Sequence, residues 1–270
     1  MKYIFIDWGV IMFKSIFNHE SNPMIPPTYT AVAMLFGALK KVGLDEDDIV
    51  LICVDSPEGS WRKEVDGDYK ANRKKDREKH KINWKRMFEM FRVLIEQLDM
   101  YTPFHVLMAS KLEADDIISY GCRKFTDKTC VIVSSDSDYE QLLSLPHVLW
   151  YSNQSKKYKT SANPLKALAK KVEKERADNL LSPILSKQDY ERRLKIVTLL
   201  TLPEEIELKA EEVLKELPEK DWDIASLPFA SLHNRIYTAY EKNKMIKPET
   251  IKKKRKKNEN IRNKQRQTVL

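Results

Sequence analysis

Two carboxylates one residue apart, Asp136 and Asp138, close the apolar run that begins the stretch CVIVSSDSDYEQLL (Cys130–Leu143). The run reads as a strand and the residues after it as a helix. Acids at such a junction have ordinary uses: Asp138 can cap the helix, and Asp136 can belong to the turn. They can also hold a hard cation, and the rest of the chain bears on which use applies.

Other acids fall at equivalent places. Asp7 ends KYIFID, and Asp55 ends DIVLICVD. Glu113, Asp115 and Asp116 open the helical stretch LEADDIISYGCRKF. Singly, Asp55 suits a turn, and Glu113 and Asp115 suit a helix N-terminus. Together they lie where an open α/β sheet binds its ligands, outside the carboxyl ends of the strands. Carboxylates gathered in a partly dry cleft repel one another and need a counter-charge. An all-oxygen donor set favours Mg²⁺ or Mn²⁺. A metal held by Asp and Glu suits phosphoryl chemistry. The basic segment WRKEVDGDYKANRKK (Trp61–Lys75) fits the same chemistry, because Lys and Arg neutralise phosphates and Trp61 or Tyr69 can stack on a base. A charge run of this kind is also what a solvated surface looks like.

The elements that must position these acids follow from the apolar pattern. Strands are expected at Lys2–Asp7, Asp48–Asp55, Phe104–Met108, from Cys130, and at His147–Ser152. Helices are expected at Thr28–Gly43, Trp84–Met100 and Leu112–Phe125. Alternation of strands, apolar on both faces, with helices predicts a doubly wound, mostly parallel α/β sheet with flanking helices. From Lys156 to Leu217 the pattern is helical with no returning strand signal, and Leu227–Asn243 reads as one more helix. The expected organisation is an α/β domain over 1–155 with a basic helical arch at 56–83, a small helical C-terminal part over 156–243, and a basic disordered tail over 244–270.

The pieces in this order resemble the 5′ nuclease (flap endonuclease and 5′-3′ exonuclease) superfamily, and within it the branch of the T-even phage ribonucleases H. Asp7 in FIDWG, Asp55 in CVDS, WRKEVDGDYKANRKK, LEADDIIS and VIVSSDSDYEQLL carry the resemblance. It covers about residues 1–155 and continues more weakly through LSKQDYERRLKIVTLLTLPEEI. The resemblance implies a PIN-like nuclease fold and a Mg²⁺- or Mn²⁺-dependent hydrolase that cuts DNA or RNA–DNA ends and flaps, as in primer or flap removal during phage replication. It implies that Asp7, Asp55, Glu113, Asp115 and Asp136 serve a first metal, with Asp116 in the outer cluster and Asp138 on a second. It places Lys70 and Arg73 at the scissile phosphate, making them catalytic with Asp115 and Asp136. Arg62, Tyr69 and Lys74 then belong to the nucleic-acid surface.

One departure stands out. The family's helix–three-turn–helix carries a Gly-Asp…Asp segment that completes the second metal site and grips duplex. The corresponding stretch here, Asn153–Pro183, lacks it and is Lys-rich. An incomplete second site is therefore expected. Two other readings stand beside the nuclease: a catalytically weak or inactive nucleic-acid- or protein-binding module, and a PIN-type single-strand ribonuclease.

Bulk properties agree with a nucleic-acid partner. Among 270 residues, 48 Lys and Arg outweigh 40 Asp and Glu, for a net charge of +8. Most of the excess is C-terminal, where Lys242–Arg266 hold twelve basic residues against Glu249 and Glu259 alone. Lys253, Lys254 and Arg255 in that run are expected to raise affinity for DNA or an RNA–DNA hybrid non-specifically. A single-strand binding protein or sliding clamp is a further expected partner. Cys53, Cys122 and Cys130 have neither metal-ligand nor redox spacing and are expected as buried thiols in a cytoplasmic monomer, in the host cytoplasm if phage-encoded. The N-terminus runs straight into a strand, so no leader is expected, nor any membrane partner.

Overall fold

Side chains along a strand alternate between its two faces, so a strand apolar at every position must be covered on both sides. The first strand, β1 (Lys2–Asp7), obeys this: Ile4 and Ile6 enter one core and Phe5 the other. The next strand, β2 (Ile49–Cys53), repeats it with Val50 and Ile52 against Leu51 and Cys53, and β4 (Thr129–Val133) with Val131 and Val133 against Cys130 and Ile132. The computed structural model describes residues 1–45, 47–173, 184, 186–215, 217–218, 220 and 222–228.

With β3 (His105–Leu107), β5 (Val148–Ser152) and β6 (Lys157–Lys159), the strands form one sheet in the order β3-β2-β1-β4-β5-β6. All neighbours are parallel except β5 and β6. The chain steps outward from β1 to β3, then returns to the other side of β1 for β4. That reversal opens a crevice beyond the carboxyl ends of β1 and β4.

One face is covered by α1 (Trp8–Ser21), α2 (Pro27–Val42) and α5 (Trp84–Tyr101). The other is covered by α6 (Ala114–Lys124) and α9 (Glu204–Lys215). Between β2 and α5 lie two short helices, α3 (Arg62–Val65) and α4 (Asn72–Glu78). The chain after β6 forms α7 (Pro164–Glu173) and α8 (Lys187–Val197). A third, smaller core joins Tyr69 to Val172, Ile196 and Val197, and so ties the basic segment to α7 and α8. The expected doubly wound sheet is thus the observed fold, with all three cysteines buried and free.

Three expectations change. Residues 157–159 are an antiparallel edge strand, where the pattern read as helical; three residues are too few to show a period, and the strand is placed by Tyr158 packing on Tyr151 at 5.5 Å between ring centroids. It extends the sheet past the expected boundary at 155. The later helical part is not apart from the α/β core either, because Ile206, Ala210 and Leu214 of α9 share one core with Phe5 and Ile118. The residues after Asp136 form a 3₁₀ helix (Ser137–Ser144), and its cap is Asp136, whose side chain accepts the Asp138 N–H at 2.9 Å, and not Asp138. Helix α1 is an addition: it starts directly after β1 without a loop, with Asp7 as its cap. Most of Leu227–Asn243 and all of 244–270 lie outside the described residues.

Gly121 sets the distance between β1 and α6. A Cβ there would meet the Phe5 ring at 2.5 and 2.6 Å. Both residues are buried, so the ring has little room to retreat. Gly121→Ala is expected to destabilise the fold by about 1–3 kcal/mol through overpacking, read as a lower urea midpoint at unchanged slope. An unchanged midpoint would show that the β1–α6 contact can relax.

Candidate active site

The crevice beyond β1 and β4 receives acids from four elements. Asp7 ends β1 and turns directly into α1, accepting the Val10 N–H at 3.3 Å on Oδ1. Its Oδ2 accepts hydroxyls from Ser134 at 2.8 Å and Tyr139 at 3.2 Å. Asp55 follows β2 and accepts the Ala114 N–H at 2.9 Å, which fastens the end of β2 to the start of α6. Asp7 Oδ1 and Asp55 Oδ2 lie 3.5 and 3.7 Å from the position a Cβ would take at Gly9, so a side chain there would press on both carboxylates. Burial, with Asp55 and Asp136 alongside, pushes the Asp7 carboxyl up to about 7 despite the Ser134 hydrogen bond.

The second group sits at the start of α6 around a buried cation, and burial raises Asp115 strongly and Asp116 as well. Arg62, only 1% exposed, places Nη1 at 2.9 Å from Glu113 and 3.4 Å from Asp115, and Nη2 at 2.9 Å from Asp116. Its Nε donates to the Ile196 carbonyl of α8 at 2.9 Å. Asp116 is fully buried and accepts further from the Trp61 indole at 3.1 Å and the Glu113 N–H at 2.9 Å. Glu113 also accepts from the Tyr69 hydroxyl at 2.8 Å and the Lys70 ammonium at 2.5 Å. Burial alone would raise Glu113, but Lys70 and Arg62 outweigh it and hold the carboxyl at about 2. Lys70 reaches this position from a left-handed backbone, φ 58°, which non-glycine residues adopt at a cost.

Several expected site residues therefore do other work. Arg62 and Tyr69 are not on a phosphate-facing surface: both are buried, Arg62 as the counter-ion of α6 and Tyr69 at 3% exposure in the third core. Asp116, expected in the outer cluster, is fully buried and accepts from Trp61, Arg62 and the Glu113 N–H. Asp138, expected on a second ion, pairs with Lys171 of α7. Arg73 is exposed on α4, which also carries Lys74. Lys253, Lys254 and Arg255 lie outside the described residues.

Sequence reasoning missed the polar supports. Ser134 and Tyr139 orient Asp7, and Lys14 of α1 donates to Ser135 at 2.6 Å. Partial burial lowers the Lys14 amine. Lys14 follows Asp7 by two helical turns, and that spacing was the available signal.

Among the described residues, no group of three or more His, Cys, Asp or Glu side chains is arranged to hold a metal ion as it stands. The donor chemistry does fit a hard divalent cation. Asp7, Asp55 and Asp136 bring oxygens to one edge, and Asp115 Oδ1 is buried with the Arg62 guanidinium at 3.4 Å.

Residues 2–174 match the family described as 5′-3′ exonuclease, N-terminal resolvase-like domain. The chain is 32% identical over 139 residues to Ribonuclease H of Enterobacteria phage T4; this covers 49% of the chain and 46% of the relative, so the match spans about half of that protein's length. Among solved structures, a phage T5 5′-exonuclease with divalent metal ions (zinc) bound aligns with a TM-score of 0.59 at 16% identity, over 81% of this chain and 100% of that one. A bacteriophage T5 flap endonuclease variant, in a pseudo-enzyme-product complex with DNA and metal ions, aligns at 0.58 and 17% identity over 80% and 98%. At such identities the likeness is one of fold.

Two outcomes follow from the charges. Arg62→Met leaves three carboxylates at the start of α6 without their buried cation and is expected to cost about 3–5 kcal/mol in chemical denaturation, with Arg62→Lys failing to restore it because one ammonium cannot span the same partners. Asp7, raised from 3.8 to about 7, lends stability that is complete below 3.8 and lost as pH rises through 7. In EDTA at pH about 8, Asp7→Asn is therefore expected to stabilise the fold by on the order of 2–4 kcal/mol, an advantage that fades towards pH 5. A melting temperature that falls on this substitution at pH 8 would contradict the unbalanced charge.

Proposed function

The chain belongs to the 5′-3′ exonuclease family, and from that premise we propose that it is a divalent-metal-dependent 5′ nuclease acting on DNA or RNA–DNA ends and flaps. The observation that carries the reading is the convergence of Asp7, Asp55 and Asp136 where strand order reverses, close enough that Asp55 and Asp136 add to burial in raising the Asp7 carboxyl. Asp7, Asp55 and Asp136 would hold the ion, with Asp115 adjoining. Mg²⁺ or Mn²⁺ there would supply positive charge and an acidified water to phosphodiester hydrolysis. The metals and DNA in the T5 structures support this choice of ligand and substrate.

The chain's own residues have separable parts in this reading. Ser134 and Tyr139 fix the Asp7 carboxylate by hydrogen bonds to one oxygen. Arg62 pairs with the α6 acids and holds them in place without reaching substrate, while burial still raises Asp115 and Asp116. Lys70 lies at the boundary between buried acids and solvent, its ammonium on Glu113, where it can also meet a phosphate oxygen. Arg73 on the exposed side of α4 adds a planar donor for the phosphate backbone. Lys14 brings another cation to the β4 end of the crevice through Ser135.

A binding module remains the second reading, favoured by the Lys171–Asp138 pair and by acids not drawn around one point. The deciding assay offers a 5′-labelled flap duplex, an RNA–DNA hybrid and single-stranded RNA to the protein with Mg²⁺, Mn²⁺ or EDTA. Cutting of the flap or hybrid that needs metal, and falls at least about 100-fold in Asp136→Asn and Asp115→Asn, is expected. Binding without cleavage would replace the nuclease by the binding module. Preference for single-stranded RNA would point to a PIN-type ribonuclease.

A further inference from the structure

Asp138 meets a cation from α7. Lys171 pairs with its carboxylate and donates to the Ser137 hydroxyl at 3.1 Å. Both side chains are largely withdrawn from water, at 22% and 13% exposure. The lysine is also held from behind. Its neighbour Val172 is completely buried against Tyr69, Ile196 and Val197, and the Val172 carbonyl accepts from the buried guanidinium of Arg193 at 3.2 Å. The end of α7 is thereby fixed, and with it the base from which Lys171 extends. A surface lysine meeting an acid by chance has neither feature, and such pairs contribute little.

We propose that Lys171 is a built-in cation that takes the place of a divalent ion at Asp138, so that the acid edge binds one such ion and not two. For the remaining ion this rests on the nuclease reading. The substitution has a physical logic. Asp138 and Asp136 are adjacent enough that the Asp136 side chain caps the Asp138 N–H, and two unneutralised carboxylates there would repel. A single ammonium answers the Asp138 charge without the dehydration that Mg²⁺ resists. It also adds only one positive charge, so less positive potential remains for a bound phosphate than a divalent ion would leave. The Lys-rich segment that stands where the family has its Gly-Asp…Asp acids thus supplies a base where acids and a metal would act.

The test counts ions directly, by Mn²⁺ titration of the metal-free full chain with calorimetry and electron paramagnetic resonance. Wild type is expected to bind about one Mn²⁺ per chain, and Lys171→Met one more, with affinity in the millimolar range expected of few oxygen ligands. Adding Asp138→Asn to Lys171→Met should remove the gained ion. Wild type binding about two ions, or Lys171→Met binding no more than wild type, would overturn the proposal. The nuclease reading is judged separately, by whether wild type binds an ion that Asp7→Asn abolishes. Should Lys171→Met fail to fold, Lys171→Gln, which keeps a polar end without the charge, carries the same expectations.

Discussion

Several carboxylates gathered at one edge of a sheet are costly unless each is answered, and the architecture around that edge follows from how the answers are supplied. The largest answer is Arg62. A guanidinium can meet several acids at once because it presents donors in a fixed plane, and here it faces Glu113, Asp115 and Asp116 while its remaining Nε–H goes to the backbone of α8. A buried cation so placed cannot be removed without leaving buried anions behind. It therefore joins three parts of the chain distant in sequence: the segment after β2, the start of α6, and the helical region near residue 196.

That junction is reinforced by groups of a different kind. The buried amide of Gln141 donates to the Val197 carbonyl at 3.1 Å and accepts the Leu199 N–H at 2.7 Å, so the chain leaving α8 is held by the 3₁₀ helix after β4. Tyr69 fills the space between, with its hydroxyl on Glu113 and its ring among Val172, Ile196 and Val197. The basic segment is thus anchored by its apolar and buried residues, leaving Arg73 outward. Rigid attachment at the base with exposed charge beyond it is an economical way to present cations to a polyanion.

The edge is consequently divided in its electrostatics. The α6 acids share Arg62, though burial still raises Asp115 and Asp116, and Asp138 has Lys171. Burial, with Asp55 and Asp136 beside it, raises the Asp7 carboxyl, even though Ser134 and Tyr139 hold it in place. A buried, well-oriented carboxylate beside other acids at a strand-order reversal is where a cation gains most, because the fold has already met the cost of assembling the ligands.

Most of the fold was legible because it depends on local pattern. Ile4, Phe5 and Ile6 in succession require cover on both faces, and strands alternating with helices leave few topologies. The acids at Asp7, Asp55 and Asp136 were legible for the same reason, since a strand's end fixes the edge on which its next residue lies. Residues 157–159 were not, being a strand only by virtue of a neighbour. Nor was the fate of Arg62, Tyr69 and Lys171. As residue types they read equally as surface cations and a stacking ring, and only contacts across 33 to 134 residues of sequence turned them inward or toward an acid. Sequence by itself determined which edge of the sheet is acidic, because that follows from strand ends. Tertiary structure alone decided which counter-ion meets which of those acids, because each counter-ion comes from a distant element whose position depends on packing.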